Sequence, residues 1–92
     1  MTICFDVDGC LINKEGKLIE ANYQLMYKLA EIHKVYIWSG NGWKYAQEKI
    51  ENISSLRINE IISGYLNKYG GFIPDVAFDD QEINLGKLNI KV

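Results

Sequence analysis

Several features that define other protein classes are missing from this sequence of 92 residues. Its longest apolar runs are a handful of residues, far short of the ~20 needed to cross a bilayer, so we expect no membrane span. The N-terminus begins with β-prone residues rather than a basic region followed by an apolar stretch, so no secretory signal is predicted. An excess of basic residues is also missing. The net charge of −2 argues against a broad nucleic-acid surface.

Cysteine and proline are scarce. Cys4 and Cys10 are the only cysteines, and without partners at metal-ligand spacing they predict neither a zinc site nor a disulfide framework. A reducing, cytoplasmic setting fits best. The single proline and 48% hydrophobic residues indicate an ordered globular chain. Its length predicts one domain, residues 1–92. The core of so short a chain is small and would gain stability by burying surface against a second copy, so a homo-oligomer is possible.

Short apolar segments that end in polar residues recur along the chain and predict β-strands. Continuous apolarity, rather than alternation, is typical of strands that are covered on both faces in a parallel sheet. Strands are predicted at residues 2–5, 35–38, 60–63 and 76–78, and residues 87–92 alternate as a short edge strand would. The segment between Ser63 and Val76 contains glycines and a proline, so any helix there must be short.

The segments between these strands predict helices and one hairpin. Apolar residues recur at helical spacing from about residue 21 to 33, and again after Ser39, where Asn41 is the predicted N-cap. Residues 11–19 contain two apolar pieces around a polar turn with a glycine, which is typical of a β-hairpin. The alternation of strands and helices predicts an α/β fold with right-handed βαβ units around a mainly parallel sheet.

Acidic and hydroxyl side chains follow the predicted strands. Asp6 and Asp8 come after the first strand, Ser39 after the second, and Asp79 with Asp80 after the one at 76–78. Ligands of open α/β sheets bind beyond the carboxyl ends of the strands, so we expect these residues to share a site. Asp6 and Asp8, two apart in an extended segment, should point the same way. Carboxylates gathered there would repel one another without a cation, and their hard oxygens suit Mg²⁺ better than zinc.

Three segments, in order along the chain, resemble motifs of the haloacid dehalogenase (HAD) superfamily. Phe-Asp-Val-Asp-Gly-Cys-Leu at residues 5–11 resembles the first motif, with Cys10 where threonine is usual. Residues 36–41 resemble the second motif and residues 76–80 the fourth. The hairpin at 11–19 lies where that family has its mobile flap. The resemblance implies a Rossmann-like three-layer sandwich, and the chain has no room for a cap domain.

The resemblance also implies a Mg²⁺-dependent phosphomonoester hydrolase. Asp6 would attack phosphorus and form an aspartyl-phosphate. Asp8 would protonate the departing oxygen and later deprotonate the hydrolytic water. Mg²⁺ would be held by Asp6, by the backbone carbonyl of Asp8 and by an acid from the Asp79–Asp80 pair.

The same resemblance predicts how the substrate phosphate would be held. Ser39 would bind it together with backbone N–H groups near Gly40 and Asn41. The third family motif is a lysine that balances the phosphate charge, and Lys68 is the preferred candidate because it follows the third predicted strand and precedes the fourth motif. The alternatives, on the helix after Ser39, are Lys44 and Lys49.

Other functions compete with the hydrolase. The Ser39 and Asp79–Asp80 motifs also resemble the phosphatase half of polynucleotide kinases, although the acidic charge counts against a nucleic-acid substrate. A non-catalytic module that binds phosphate and Mg²⁺ is a second alternative. A phosphoacceptor receiver domain is disfavoured, because its acceptor aspartate ends a later strand. The expected partner is a phosphorylated substrate, small or large, which the sequence does not name.

Overall fold

A computed structural model describes residues 1–54 and 57–92 as an α/β fold on a five-stranded sheet. The strands are β1 (Thr2–Asp6), β2 (Lys34–Ser39), β3 (Gly64–Asn67), β4 (Val76–Asp79) and β5 (Leu88–Lys91). The helices are α1 (Glu20–Ala30), α2 (Trp43–Ile53) and α3 (Ile58–Ile61). None of these helices is both long and apolar enough to span a membrane.

Every strand pair in the sheet is parallel, and the order is β3-β2-β1-β4-β5. The chain builds outward from β1 to β3 and then returns to place β4 on the other side of β1. This reversal makes the β1–β4 boundary a topological switch point, where the carboxyl ends of neighbouring strands leave a crevice. In register, Asp6 lies opposite Trp38, and Phe5 lies opposite Phe78. The polar residues that follow these strands therefore meet at one edge of the sheet.

All three helices pack on the same face of the sheet. Its core joins Phe5 and Ile37 of the sheet to Met26 of α1, Ile50 of α2 and Ile58 of α3. Buried residues lie three apart in α1 (Tyr23 and Met26) and four apart in α2 (Ala46 and Ile50), so each of these two helices buries one stripe.

Loop residues cover the opposite face. Its buried centre is Cys4, Trp38 and Ala77, with Ile83 and Leu85 of the β4–β5 connection packed against it. Among the described residues, helices thus cover one face of the sheet and loops cover the other, an arrangement compatible with a Rossmann-like sandwich. A right-handed return from β3 to β4 must cross on this second face, and residues 68–75 are too few and too rich in glycine for a helix.

The third strand lies later than predicted. Residues 60–63 were expected to be extended, but Ile58–Ile61 form α3 and the strand is Gly64–Asn67. Ile58 and Ile62 are both buried, and their four-residue spacing matches one turn of helix. A short apolar run fits either a buried strand or a buried helical turn, so periodicity alone does not separate the two.

The start of α2 also differs from the prediction. The N-cap position is Gly42, with φ 101°, rather than Asn41. The backbone N–H of Trp43 donates instead to Oδ1 of Asn67 at 2.8 Å, so the cap comes from the end of β3. The predicted hairpin is reduced to a bridge between Ile12 and Leu18. The helix expected over residues 21–33 runs from Glu20 to Ala30.

This cap gives a test of how the end of β3 stabilises α2. Asn67→Ala removes the acceptor for the Trp43 N–H, so we expect a loss of about 1 kcal/mol in the free energy of unfolding. Asn67→Asp keeps a side-chain oxygen and should retain most of that stability. Urea unfolding of the three proteins measures the difference. Equal midpoints for Asn67→Ala and the unmodified chain would show that the contact contributes nothing.

Candidate active site

A cavity of about 370 Å³ opens at the carboxyl edge of the sheet, next to the switch point. Every residue predicted for the site lines it, and three further residues complete the wall. The lining comprises Asp6, Asp8, Gly9, Lys14, Ser39, Gly40, Asn41, Lys68, Asp79, Asp80 and Gln81. Parallel pairing explains the convergence, since β1, β2 and β4 all end at this edge.

Lys68 is a buried cation in the wall of the cavity. Its Nζ donates to Oδ2 of Asp79 at 2.5 Å and lies 3.4 Å from Oδ1 of Asp6. The side chains of Lys68, Asp6 and Asp79 are 10%, 11% and 1% exposed, so this contact lies in the interior. The two alternative lysines instead lie over aromatic rings of α2, Lys44 over Trp43 and Lys49 over Tyr45. Neither of them lines the cavity.

Three carboxylates form a cluster that could hold a cation. One oxygen from each of Asp6, Asp79 and Asp80 lies within 4.8 Å of the others. The carboxylate of Asp8 is not in this cluster, although Asp8 lines the same cavity. Its Oδ2 accepts a hydrogen bond from the Tyr45 hydroxyl at 2.7 Å. The Asp-x-Asp pair thus supplies one buried acid and one exposed acid to the same site.

The site carries more negative charge than Lys68 neutralises. Burial raises the pKa of Asp6 from its usual value near 3.8 to about 6, and the nearby Asp79 carboxylate adds to the rise while Lys68 opposes it. Burial, followed by the contact with Asp79, also raises the pKa of Asp80. Burial by itself lowers the pKa of Lys68, but its hydrogen bond to Asp79 and the charge of Asp6 raise it overall. The acids therefore compete for positive charge, which a proton or a cation would supply.

Gly9 makes room for the acid cluster. A Cβ at this position would lie 2.2 Å from Oδ2 of Asp80, and the φ of 81° is one that other residues rarely adopt. The turn that follows is held by the carbonyl of Val7, which accepts from the N–H groups of Leu11 and Ile12. The glycine of Asp-x-Asp-Gly is thus required both by the turn and by the approach of Asp80.

Cys10, at the position where the resemblance expects threonine, is buried. Its Sγ lies 3.8 Å from the carbonyl oxygen of Phe78, within reach of a weak S–H···O hydrogen bond. Burial raises the pKa of this thiol, with the charges of Asp6 and Asp79 adding to the rise. The residue therefore packs the base of the turn as a neutral thiol.

The loop after β2 forms the opposite wall of the cavity. Ser39 is buried, and its Oγ accepts from the N–H of Asn41 at 3.0 Å. Its carbonyl accepts from the N–H groups of Gly42 and Lys68, both at 3.1 Å. These bonds tie the end of β2 to the residue that follows β3, which fixes the backbone from which Lys68 reaches the acids.

Sequence reasoning missed four residues of this site: Lys14, Tyr45, Gln81 and the supporting Asn67. Gln81 follows the acid pair directly, and its N–H donates to Oδ1 of Asp79 at 3.0 Å, so its position after the fourth motif was an available signal. Lys14 lies in the predicted hairpin, beside the first motif. Tyr45 carries no such signal, since its contact with Asp8 joins residues 37 apart.

Comparison of the chain with protein-family models, with curated proteins and with solved structures gave no significant match. What the site does must therefore be inferred from its own geometry and charge.

The crowding at Gly9 can be tested against a matched glycine. Gly16 has a similar φ of 78° but nothing within 4 Å of where its Cβ would lie. Gly16→Ala should therefore carry only the left-handed backbone cost of about 1–2 kcal/mol. Gly9→Ala should lose more, because Asp80 must also move. Urea unfolding measures both variants, and an equal loss in the two would contradict a specific contact with Asp80.

The raised pKa of Asp6 predicts how stability depends on pH without metal. Between pH 3.8 and about 6 the folded protein binds a proton on Asp6 that the unfolded chain releases, so this residue's contribution to stability falls as pH rises through that window. Asp6→Asn removes the effect. In EDTA at pH 7 we expect this variant to be more stable than the unmodified protein by on the order of 2–3 kcal/mol, with the difference vanishing below about pH 4. Urea unfolding at both pH values measures it, and a pH-independent difference would refute the assignment.

Proposed function

We propose that this protein is a phosphomonoester hydrolase of the HAD type, with Asp6 as the nucleophile and Mg²⁺ as its cofactor. The observation that carries the proposal is the cluster of Asp6, Asp79 and Asp80 around the buried Lys68, at the switch point of a parallel sheet. A nucleophile, a cation-binding set and a fixed positive charge are what transfer of a phosphoryl group to a carboxylate requires.

The residues present suit a hard divalent cation. The candidate ligands are carboxylate oxygens of Asp6 and of the Asp79–Asp80 pair, and the resemblance to the HAD superfamily implies the backbone carbonyl of Asp8 as a further one. Oxygen donors of this kind are preferred by Mg²⁺, whereas zinc favours cysteine and histidine. When bound, the cation would neutralise the carboxylates and stabilise charge on the phosphoryl oxygens. A neutralised pocket would also lower the pKa of Asp6, so that it is ionised over a wider pH range below neutrality.

In the first half-reaction a carboxylate oxygen of Asp6 forms a bond to phosphorus as the bond to the leaving oxygen breaks. Asp8 gives its proton to that leaving oxygen, which departs as an alcohol. The side chain of Asp8 is exposed, so it can exchange protons with water. Asp6 is mostly buried, which limits the contact of the nucleophile with water before substrate binds.

In the second half-reaction Asp8 accepts a proton from a water molecule as that water attacks phosphorus. The bond between phosphorus and Asp6 breaks, inorganic phosphate leaves, and Asp8 ends protonated for the next turnover. Atoms and charge balance, because the proton lost to the alcohol is regained from water. For these two proton transfers, Asp8 must reach the leaving oxygen and the oxygen of the attacking water from one position.

The phosphoryl group would be held by Lys68 and Ser39. Oγ of Ser39 already accepts from the Asn41 N–H, which leaves its own proton to donate to a phosphate oxygen. Lys68 supplies positive charge from within the cavity, and Lys14 supplies it from the hairpin. The N–H of Asn41, predicted to bind phosphate directly, is instead engaged with Ser39 and would act by orienting the hydroxyl.

Replacing the nucleophile tests the proposal. Asp6→Asn should lower the rate of phosphate release from an aryl phosphate in Mg²⁺ by at least about a thousandfold, because the amide is a poor nucleophile. The matched control is Asp75→Asn, since Asp75 bonds to Thr2 and lies outside the cavity. Hydrolysis by the unmodified protein should stop in EDTA. Turnover that persists in Asp6→Asn would remove Asp6 from the role of nucleophile.

A substrate panel separates the competing functions. The panel contains an aryl phosphate, a sugar phosphate and an oligonucleotide with a 3′-phosphate. We expect hydrolysis of the small esters to exceed that of the oligonucleotide, because the cavity is lined by acids and the chain has a net charge of −2. Preference for the oligonucleotide would favour the polynucleotide 3′-phosphatase instead. Binding of Mg²⁺ without hydrolysis of any substrate would favour a non-catalytic module.

A further inference from the structure

A tyrosine from α2 is bonded to the acid that the proposed mechanism uses for proton transfer. The hydroxyl of Tyr45 donates to Oδ2 of Asp8 at 2.7 Å. Asp8 lies just beyond β1, in a turn, and its side chain is exposed. An exposed aspartate in a turn has several rotamers open to it, so the hydrogen bond selects one of them.

The helix that carries Tyr45 is fixed at its start and along its inner face. The N–H of Trp43 is bonded to Asn67, and Ala46 and Ile50 are fully buried in the core. Tyr45 therefore projects from a rigid support rather than from a mobile loop. Lys49, one turn later, lies with its Nζ 5.7 Å from the centre of the Tyr45 ring.

The hydrogen bond from Tyr45 gives Asp8 different surroundings from those of Asp6, although the two acids are only two residues apart. Asp6 belongs to the carboxylate cluster that could bind a cation, whereas the carboxylate of Asp8 does not. Both residues nevertheless line the same cavity. The bond to Tyr45 occupies Oδ2 of Asp8 and leaves Oδ1 to carry a proton.

We propose that Tyr45 is the positioning residue for Asp8. It keeps the Asp8 carboxylate out of the cation cluster and directs its free oxygen at the leaving group. The inference depends on the proposed function, since it assigns a role within that reaction. None of the HAD-like motifs of the sequence contains Tyr45. Its contact with Asp8 arises because the start of α2 lies beside the turn after β1.

Leaving-group dependence distinguishes positioning from a merely structural role. A general acid matters most when the leaving oxygen is basic, as in an alkyl phosphate, and least for a nitrophenolate, which departs as an anion. Tyr45→Phe should therefore lower kcat/KM for an alkyl phosphate by roughly tenfold or more while changing that for 4-nitrophenyl phosphate by less than about threefold. A structural defect would lower both to the same extent.

The experiment measures kcat/KM in Mg²⁺ for a series of aryl and alkyl phosphates with the unmodified protein, Tyr45→Phe, Asp8→Asn and the double variant. Asp8→Asn should show the same steeper dependence on leaving-group basicity, and adding Tyr45→Phe to it should have no further effect, because both changes act on one group. The control is Tyr27→Phe, whose ring packs on Tyr23 and does not line the cavity. Urea unfolding verifies that the variants fold, which is expected because Tyr45 is only half-buried.

Each outcome of this experiment either supports or overturns the role of Tyr45. A steeper dependence in Tyr45→Phe that disappears in the Asp8→Asn background supports the inference. Hydrolysis by the unmodified protein with an unchanged dependence in Tyr45→Phe overturns the inference and leaves the proposed function standing. Effects of the two changes that multiply would also overturn it, because Tyr45 would then act independently of Asp8. No hydrolysis of any ester by the unmodified protein overturns the proposed function and the inference with it.

Discussion

The contact of Lys68 with Asp6 and Asp79 is the interaction on which the site depends. These three side chains are almost fully buried, and the removal of charge from water is costly unless opposite charges meet there. One ammonium group offsets part of the charge of the acids, and the pKa of Asp6 remains raised. The negative charge of the acids in this pocket is therefore only partly balanced by Lys68. Such a pocket could hold a cation, as the proposed function requires.

The topology explains how a chain this short assembles that contact. Asp6 ends β1 and Asp79 ends β4, which are neighbours in the sheet, while Lys68 follows β3 directly. The hydrogen bond from the N–H of Lys68 to the carbonyl of Ser39 anchors the loop at the end of β2. The return from β3 to β4 contains no helix, so in the part of the chain that the structure describes the second face of the sheet is covered by loops. The short return between β3 and β4 therefore both saves chain length and leaves this face of the sheet without a helix.

Two aspartates separated by one residue have different surroundings and, in the proposed mechanism, different tasks. Asp6 is buried among like charges, whereas Asp8 is exposed and bonded to Tyr45. A nucleophile benefits from exclusion of water, and a proton carrier benefits from contact with it. Division of labour between paired carboxylates by environment is a general route to acid and base chemistry near neutral pH. Here the strand end buries one acid and the following turn exposes the other.

The sequence by itself determined the positions of β1, β2 and β4 and the acids beyond them, because buried strands of a parallel sheet must be apolar along their length and polar where they end. It did not place the third strand, since the run around Ile58 and Ile62 fits a helical turn as well as a strand. The sequence favoured Lys68 over Lys44 and Lys49 by its place between the third strand and the fourth motif, but its contacts with Asp6 and Asp79 became visible only in the fold. The cap of α2 by Asn67 and the bond from Tyr45 to Asp8 were likewise hidden. Periodicity reports which face of an element is buried, whereas these contacts join residues far apart in the chain, and only tertiary packing decides which of them meet.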